Sequence, residues 1–468
     1  MLLKFSKIFL HIALLCVLVV MTTTFFPFIG GKDYFFRFSV ELTLIFAILW
    51  WAFEANDGVV EHRFRSIVKK PLFIAVTAFM LAFLLATIFA NDPNAAFWSN
   101  YERGEGGFQM FHYYLFFALL VFILDTREDW RTFFKTALVA AVLMILYGIF
   151  AQLGWADNFV SPYQGINPPD GWWERLTATR FQGSLGNPAY VAPYLAFSIF
   201  YALYLLATSK SLRSWATWIL YGGLSLFFLF FFIMSKTRGA FVGLAVSILV
   251  FLICLGVQVK RLRIATAVIF AVLVAGGVLG IRYSHTPFIQ SIPGGRLLEL
   301  SFSGDSAQTR LWTWGSAWQG FKERPLLGWG PENFSTVFDK HFDPRHYVPG
   351  KNTETWFDRA HSIYFDYLAE TGVLGLAGYL SIFAVMLWGF VKLLRHGGRS
   401  AAEVALLIAI PVGYLAQGIA IFDVLPMYIN LFVVFAFAYF ILYGIEAPGS
   451  ARKAKHRGEV PKINTSVG

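Results

Sequence analysis

The sequence predicts an all-α, polytopic membrane protein with about twelve transmembrane helices and one large extracytoplasmic helical loop. Composition is the first observation behind this: the 468 residues are 57% hydrophobic and only 14% charged, with a mean hydropathy of +0.59, which places the chain among membrane proteins. A second is that twelve apolar runs meet or approach the roughly 20 residues a helix needs to cross the hydrocarbon core. The third is a long polar interval, Tyr283 to His361, set between those runs. It is rich in aromatics rather than depleted of them, so a folded, functional loop is expected there instead of a disordered one.

The first run, 8–29, follows Lys4 and Lys7 and so resembles a secretion signal. It is too long for such a signal's apolar core and lacks a small-residue cleavage site, so it reads as an uncleaved first span. The remaining spans are expected at 36–53, 72–90, 108–124, 132–153, 186–207, 214–234, 238–257, 263–282, 371–394, 402–421 and 424–444. Helix is the form that closes backbone hydrogen bonds inside lipid over such runs. The chain thus divides into spans one to nine (1–282), the large loop (283–360), spans ten to twelve (361–446) and a Gly-, Lys-, Ser- and Pro-rich cytoplasmic tail (447–468), expected to be disordered.

Charge sets the orientation. Arg63, Lys69, Arg131, Lys260, Arg395 and the tail cations fall on one side, which the positive-inside rule makes cytoplasmic together with both termini. That placement accounts for the net charge of +10 better than a nucleic-acid partner does. Segments 91–107, 154–185 and 235–239 then lie outside with the large loop. This outer face still keeps Arg103, Arg175, Arg180, Lys236, Arg238, Arg310 and Arg359. Cations retained there suit an anionic ligand; solvated charges on aromatic-anchored loops are the alternative. Cys16 and Cys254 sit inside apolar runs and imply neither a disulfide nor a metal site.

Within the large loop, Asp305 or Ser306 can cap a helix over Ala307–Phe321 that Pro325 stops. Trp314, Ala317, Trp318 and Phe321 recur at helical spacing, a stripe suited to the membrane interface, with Arg310 one turn before Trp314. A second helix is expected from Asp358 through His361, Tyr364 and Leu368, with the Gly372 region leading into the tenth span. Arg238 ends an almost loopless connection between spans; it either snorkels to headgroups or binds a phosphate. Arg310 has the same two readings, and two arginines at one site would suit a diphosphate. His361 is a candidate base, neutral and able to accept a hydroxyl proton. Asn187, in Gly186-Asn187-Pro188, either starts a helix or offers an amide to a sugar or phosphate. The chain has no Asp-x-Asp pair, HExxH, Walker loop or GxSxG, so metal-dependent nucleotide-sugar transfer, zinc peptidase, ATPase and hydrolase-elbow chemistry are not supported.

Three motifs in order, Ser235-Lys236-Thr237-Arg238-Gly239, then Thr309-Arg310-Leu311-Trp312 leading to Pro325-Leu326-Leu327-Gly328-Trp329-Gly330-Pro331-Glu332-Asn333, then His361-Ser362-Ile363-Tyr364, resemble the O-antigen ligase family of bacterial membrane glycosyltransferases over about residues 180–390. The resemblance implies a GT-C-like fold and transfer of a glycan from undecaprenyl diphosphate to an acceptor hydroxyl at the outer face of the cytoplasmic membrane, with no metal or other cofactor; a single displacement by the hydroxyl would invert the anomeric configuration. It implies that Arg238 and Arg310 contact the diphosphate and that His361 is the base. Asn187, Lys236, Arg180, Arg359 and Trp314 complete the candidate substrate-binding set. The acceptor stays open between lipid, polysaccharide and protein, because Gly-Asn-Pro matches an element of protein-glycosylating members and the superfamily also holds repeat-unit polymerases. From a different class, twelve spans also suit a lipid or sugar transporter. The near absence of charge inside spans, Glu41 and Asp423 aside, argues against it.

Overall fold

A computed structural model describes residues 1–100, 103–155, 159–163, 166–209, 214–291, 305–347, 355–396 and 399–444, and these contain helices and turns but no strand. The expected disordered tail lies outside the described residues. In chain order the helices are α1 (Leu2–Ala13), α2 (Gly30–Phe53), α3 (Asp57–Val68), α4 (Pro71–Ile88), α5 (Pro93–Trp98), α6 (Gly107–Ile123), α7 (Arg127–Leu153), α8 (Trp172–Ala178) and α9 (Pro188–Ala207). After them α10 (Trp215–Thr217) passes through a π turn into α11 (Gly223–Met234), followed by α12 (Arg238–Gln258), α13 (Arg263–Arg282) and α14 (Pro287–Ser291). The last are α15 (Asp305–Glu323), α16 (Phe334–Lys340), α17 (Ile363–His396), α18 (Ala401–Gln417) and α19 (Leu425–Tyr443).

Among the described residues nine helices are long and apolar enough to cross a membrane, and α6 and α18 are shorter apolar helices. These eleven answer to eleven of the twelve expected spans. The first expected span is corrected: α1 tightens into a 3-10 turn at Leu14–Leu18, and the chain then leaves helical geometry until Gly30. The run Thr22-Thr23-Thr24 and Pro27 explain the break, since β-branched residues and proline both disfavour helix. The Val19 carbonyl freed by the break accepts a hydrogen bond from the buried Lys32 ammonium.

Burial sorts the spans: 94% of the α19 window is buried against 11% for Lys260–Arg282, so α19 is the axis and α13 the lipid-facing rim. Aromatic contacts hold the axis. Tyr428 stacks on Tyr113 of α6 at 5.0 Å, Phe437 meets Trp130 of α7 at 5.1 Å and Tyr204 of α9 at 4.9 Å, and Phe435 meets Phe383 of α17 at 5.4 Å. Asn430, the polar residue in this apolar helix, accepts from Tyr201 at 2.8 Å. The helix pair α12 and α18 meets backbone to backbone, because a Cβ added at Gly243 would lie 2.7 Å from the Gly413 carbonyl oxygen; only small residues allow that approach.

Helix α15 forms where expected, but its stripe divides. Thr313, Ser316 and Ala317 are buried and Trp314 half-buried, while Trp318 is 47% exposed. The inner part of the stripe packs on α17 rather than lying flat on a membrane: Trp314 stacks on Phe365 at 5.1 Å. The side chains of the expected caps, Asp305 and Ser306, lie outside the described residues. The second loop helix starts at Ile363 and not at Asp358, because His361 has φ 57° and the Ile363 amide donates to Gly418 O and Ile421 O, at 2.9 and 3.1 Å. Gly372 (φ 63°, ψ −164°) interrupts α17 as the sequence implies. The Pro325–Gly330 turn fills that interruption, Val373 N donating to Pro325 O at 2.9 Å and Trp329 N to Ala369 O at 2.9 Å.

The segments expected to share one face do contact one another. Asn91 N donates to Trp329 O at 2.8 Å, Asp92 N to the Asn333 side chain at 2.8 Å, and Arg180 Nε to Ser235 O at 2.9 Å.

Candidate active site

Residues 358–362 form a loop whose members are each gripped by a different part of the chain. Asp358 receives the two-pronged guanidinium of Arg103, at 2.6 and 2.9 Å. Arg103 also donates to Tyr190 OH at 3.0 Å and lies 5.2 Å over the Phe422 ring. Arg359, 7% exposed, donates to both oxygens of Glu370 at 2.8 and 3.0 Å and to Glu332. Ala360 is held through its backbone, its carbonyl accepting from Trp314 Nε1 at 3.0 Å and its amide donating to Asp366 at 2.6 Å. Ser362 Oγ donates to Gly418 O at 3.4 Å.

His361 is thereby fixed in the left-handed region, which costs a non-glycine residue on the order of 1–3 kcal/mol and persists only where neighbours impose it. Its ring stands edge-on to Phe357 and Phe422, with centroids at 5.4 and 5.0 Å. Nδ1 lies 3.2 Å from the Arg359 carbonyl oxygen. A carbonyl can only accept, so Nδ1 carries the proton and Nε2 presents a lone pair. Burial pushes the imidazole down to about 4; the Arg359 carbonyl bond opposes this, and the Arg310 and Arg103 charges add to it. Arg310 is therefore near enough for its charge to act on His361. Burial tends to raise the Asp358 carboxyl, yet the Arg103 fork holds it below its usual range. Glu105, buried beside Asp33 and Glu332, is pushed well above the usual carboxylate range by its burial and by those two neighbours, and accepts from Tyr113 OH at 3.1 Å.

A second group surrounds the start of α12. Arg180 Nε donates to Ser235 O at 2.9 Å and its Nη2 to Thr237 Oγ1 at 3.0 Å. Lys236, in the left-handed region at φ 51°, donates to Thr177 O at 2.9 Å. Arg238 is exposed at the first position of α12. Burial and the Arg238 charge both lower the Arg180 guanidinium, so the two cations are close. Arg180 and Arg238 lie together at the positive end of a helix, an arrangement that favours an anion. Asn187 is placed as the N-cap of α9, its Oδ1 accepting from Ala189 N at 2.8 Å. Replacing it by Ser keeps a capping oxygen and is expected to shift unfolding stability by at most about 0.5 kcal/mol, measured by thermal denaturation in detergent.

The 418–423 connection between α18 and α19 brings the two groups to one place. A Cβ added at Gly239, next to Arg238, would lie 3.0 Å from Ile421, and His361 and Arg103 both press on Phe422. The start of α12, which carries Arg238, and the loop that carries His361 thus both abut that connection. The groups that hold this arrangement, Arg103, Asp358, Glu332, Glu370 and Glu105, had no site role in the sequence reading. The signals available were Arg103 among the cations kept on the outer face and Glu332 within the second family motif.

Residues 223–380 match the family model described as O-Antigen ligase. Over those residues the match supports an assignment to the O-antigen ligase family. With the apolar helices, the match supports a multi-pass membrane protein of glycosyltransferase-like type acting on lipid-linked glycans, and disfavours transport. The matched segment contains Lys236, Arg238, Arg310, Trp314, Arg359 and His361. Arg103, Arg180 and Asn187 lie outside it. No curated protein matches the chain.

Proposed function

We propose that this protein transfers a glycan from undecaprenyl diphosphate to an acceptor hydroxyl at the extracytoplasmic face of a bacterial cytoplasmic membrane. The observation that carries the reading is the placement of His361, its Nε2 presenting a lone pair and the Arg310 charge acting on it, on a loop abutting the same connection as Gly239, the residue next to Arg238. In the reaction the acceptor oxygen bonds to the anomeric carbon while the bond from that carbon to the diphosphate oxygen breaks. Electron density moves onto the leaving diphosphate, and Arg238 and Arg310 stabilise it in a water-poor setting. Nε2 of His361 takes the hydroxyl proton. The arriving diphosphate offsets the arginine charges that depress the imidazole, so the base strengthens when the donor is in place. One displacement inverts the anomeric centre, and a product of retained configuration would rule out this single-step scheme.

Arg310→Lys tests the assignment. It keeps the charge and loses the planar fork, so kcat with purified, detergent-solubilised protein and lipid-linked glycan is expected to fall by about 100-fold while the protein still inserts and extracts as wild type. Wild-type turnover by a folded Arg310→Lys protein would remove Arg310 from the diphosphate. The acceptor class is read by mass spectrometry of lipids, polysaccharides and proteins from a deletion strain, since the class that loses its glycan is the acceptor.

A further inference from the structure

The start of α4, the last turns of α17 and the end of α19 meet at the end of the bundle away from His361. Helix α4 leads from this end toward Asn91, whose amide bonds Trp329 O, and α17 begins two residues after His361. The positive-inside rule makes this end cytoplasmic. A groove of about 690 Å³ opens here between the three helices. Val385, Trp388, Gly389 and Lys392 line it from α17, and their spacings of three, four and seven residues put them on one helix face. Gly389 makes the depression, since a Cβ there would lie 2.6 Å from Leu442 of α19, which lines the groove too. From Ala384 to Lys392 the helical rise is ~12 Å, within the ~15 Å of hydrocarbon that one leaflet supplies.

The groove changes character along its length. Toward Ala384 and Val385 it is apolar, and at its mouth it is cationic. The Lys392 ammonium lies 5.1 Å over the Trp388 ring, and that of Lys70 lies 5.7 Å over the ring of Tyr443, another lining residue. Lys69 and Arg395, both exposed, are close in the chain. Trp388 is 61% exposed, as suits an indole at headgroup level. Among the described residues no carboxylate lines the groove.

We propose that this groove binds an anionic phospholipid of the cytoplasmic leaflet, its phosphate at Lys70 and Lys392 and an acyl chain laid along α17 over Gly389 toward Ala384. Charge complementarity selects the occupant, because cations at the membrane surface attract anionic headgroups. The length of the groove fits a chain confined to one leaflet. The sequence after Tyr443 carries Arg452, Lys453, Lys455 and Arg457, so like charge sets it against filling the site. The lipid would tie α4 and α19 to α17, and it contributes cohesion and no chemistry. The inference does not depend on the reaction proposed above.

The test places the full chain in phosphatidylcholine nanodiscs holding a trace of phosphatidylglycerol with a photoreactive group on its acyl chain, or of phosphatidylcholine with the same group. Phosphatidylglycerol is expected to label residues 384–393 about 30-fold more strongly than phosphatidylcholine, the ratio that two lysines at the membrane surface provide. The double variant Lys70→Gln/Lys392→Gln should bring that labelling down to the phosphatidylcholine level. Ala384→Trp, at an exposed position, fills the apolar part and leaves the cations in place. It should remove labelling of 384–393 while labelling of the lipid-facing α13 stays as in wild type. Equal labelling by the two lipids, undiminished labelling of the double variant, or a groove shielded by a second copy of the chain would overturn the assignment. If the double variant does not extract as a folded protein, the lipid comparison and Ala384→Trp decide.

Discussion

His361→Asn is expected to lower kcat by about 10²- to 10⁴-fold, the usual range for removing a general base, without unfolding the protein. Asn tolerates the left-handed backbone at this position, and its amide can still donate to the Arg359 carbonyl. The pH dependence carries the sharper expectation. Only the neutral imidazole accepts a proton, so activity is present above its pKa and lost as pH falls through it. Because burial holds the free-protein value down to about 4, the acid limb of kcat/KM should lie near there and not near the ordinary ~6.5 of histidine. The limb of kcat reports the donor-bound protein, where the diphosphate offsets Arg310, and it should lie at higher pH. A kcat/KM limb near 6.5 that persists in His361→Asn would assign the base elsewhere.

Arg359→Met should produce the largest loss of stability. The guanidinium is enclosed by Glu332 and Glu370, with side-chain exposures of 4% and 6%, and removing it leaves two carboxylates buried without a counter-charge. Breaking a buried ion pair from one side costs about 3–5 kcal/mol, enough to lower the thermal midpoint in detergent clearly. Combining it with Glu332→Gln and Glu370→Gln should recover a good part of that loss, since the uncompensated charge is then gone. A normal melting midpoint with weakened donor affinity would instead show Arg359 acting on substrate.

Much of the bundle was legible because apolar runs and span-ending glycines act locally. Gly372 breaks α17 because its φ of 63° suits a residue without a side chain, and that can be read from one position. Long-range pairing cannot. Arg103 and Asp358 lie 255 residues apart, and neither position alone announces the other. The start of α17 was misplaced for the same reason: composition from Asp358 onward suits a helix, but Arg103 takes the Asp358 side chain while Asp366 and Gly418 take the amides of Ala360 and Ile363. The first span was overestimated because hydropathy does not register what three threonines and a proline do to helical geometry. Buried Lys32, Asp33 and Glu105 stand beside apolar runs, where ionisable residues ordinarily mark a membrane border. The chain instead folds them inward.

The dependence of the 358–362 loop on Arg103 bears on how such enzymes can be recombined. The family-matching segment, 223–380, ends up shaped by a residue more than a hundred positions upstream of its own start. Cut out or grafted onto another amino-terminal half, it would bring Asp358 but not the arginine that holds it, and the imidazole two residues on would lose its aim. Successful chimeras should therefore be those whose crossover keeps the donor of that guanidinium and its carboxylate from one parent.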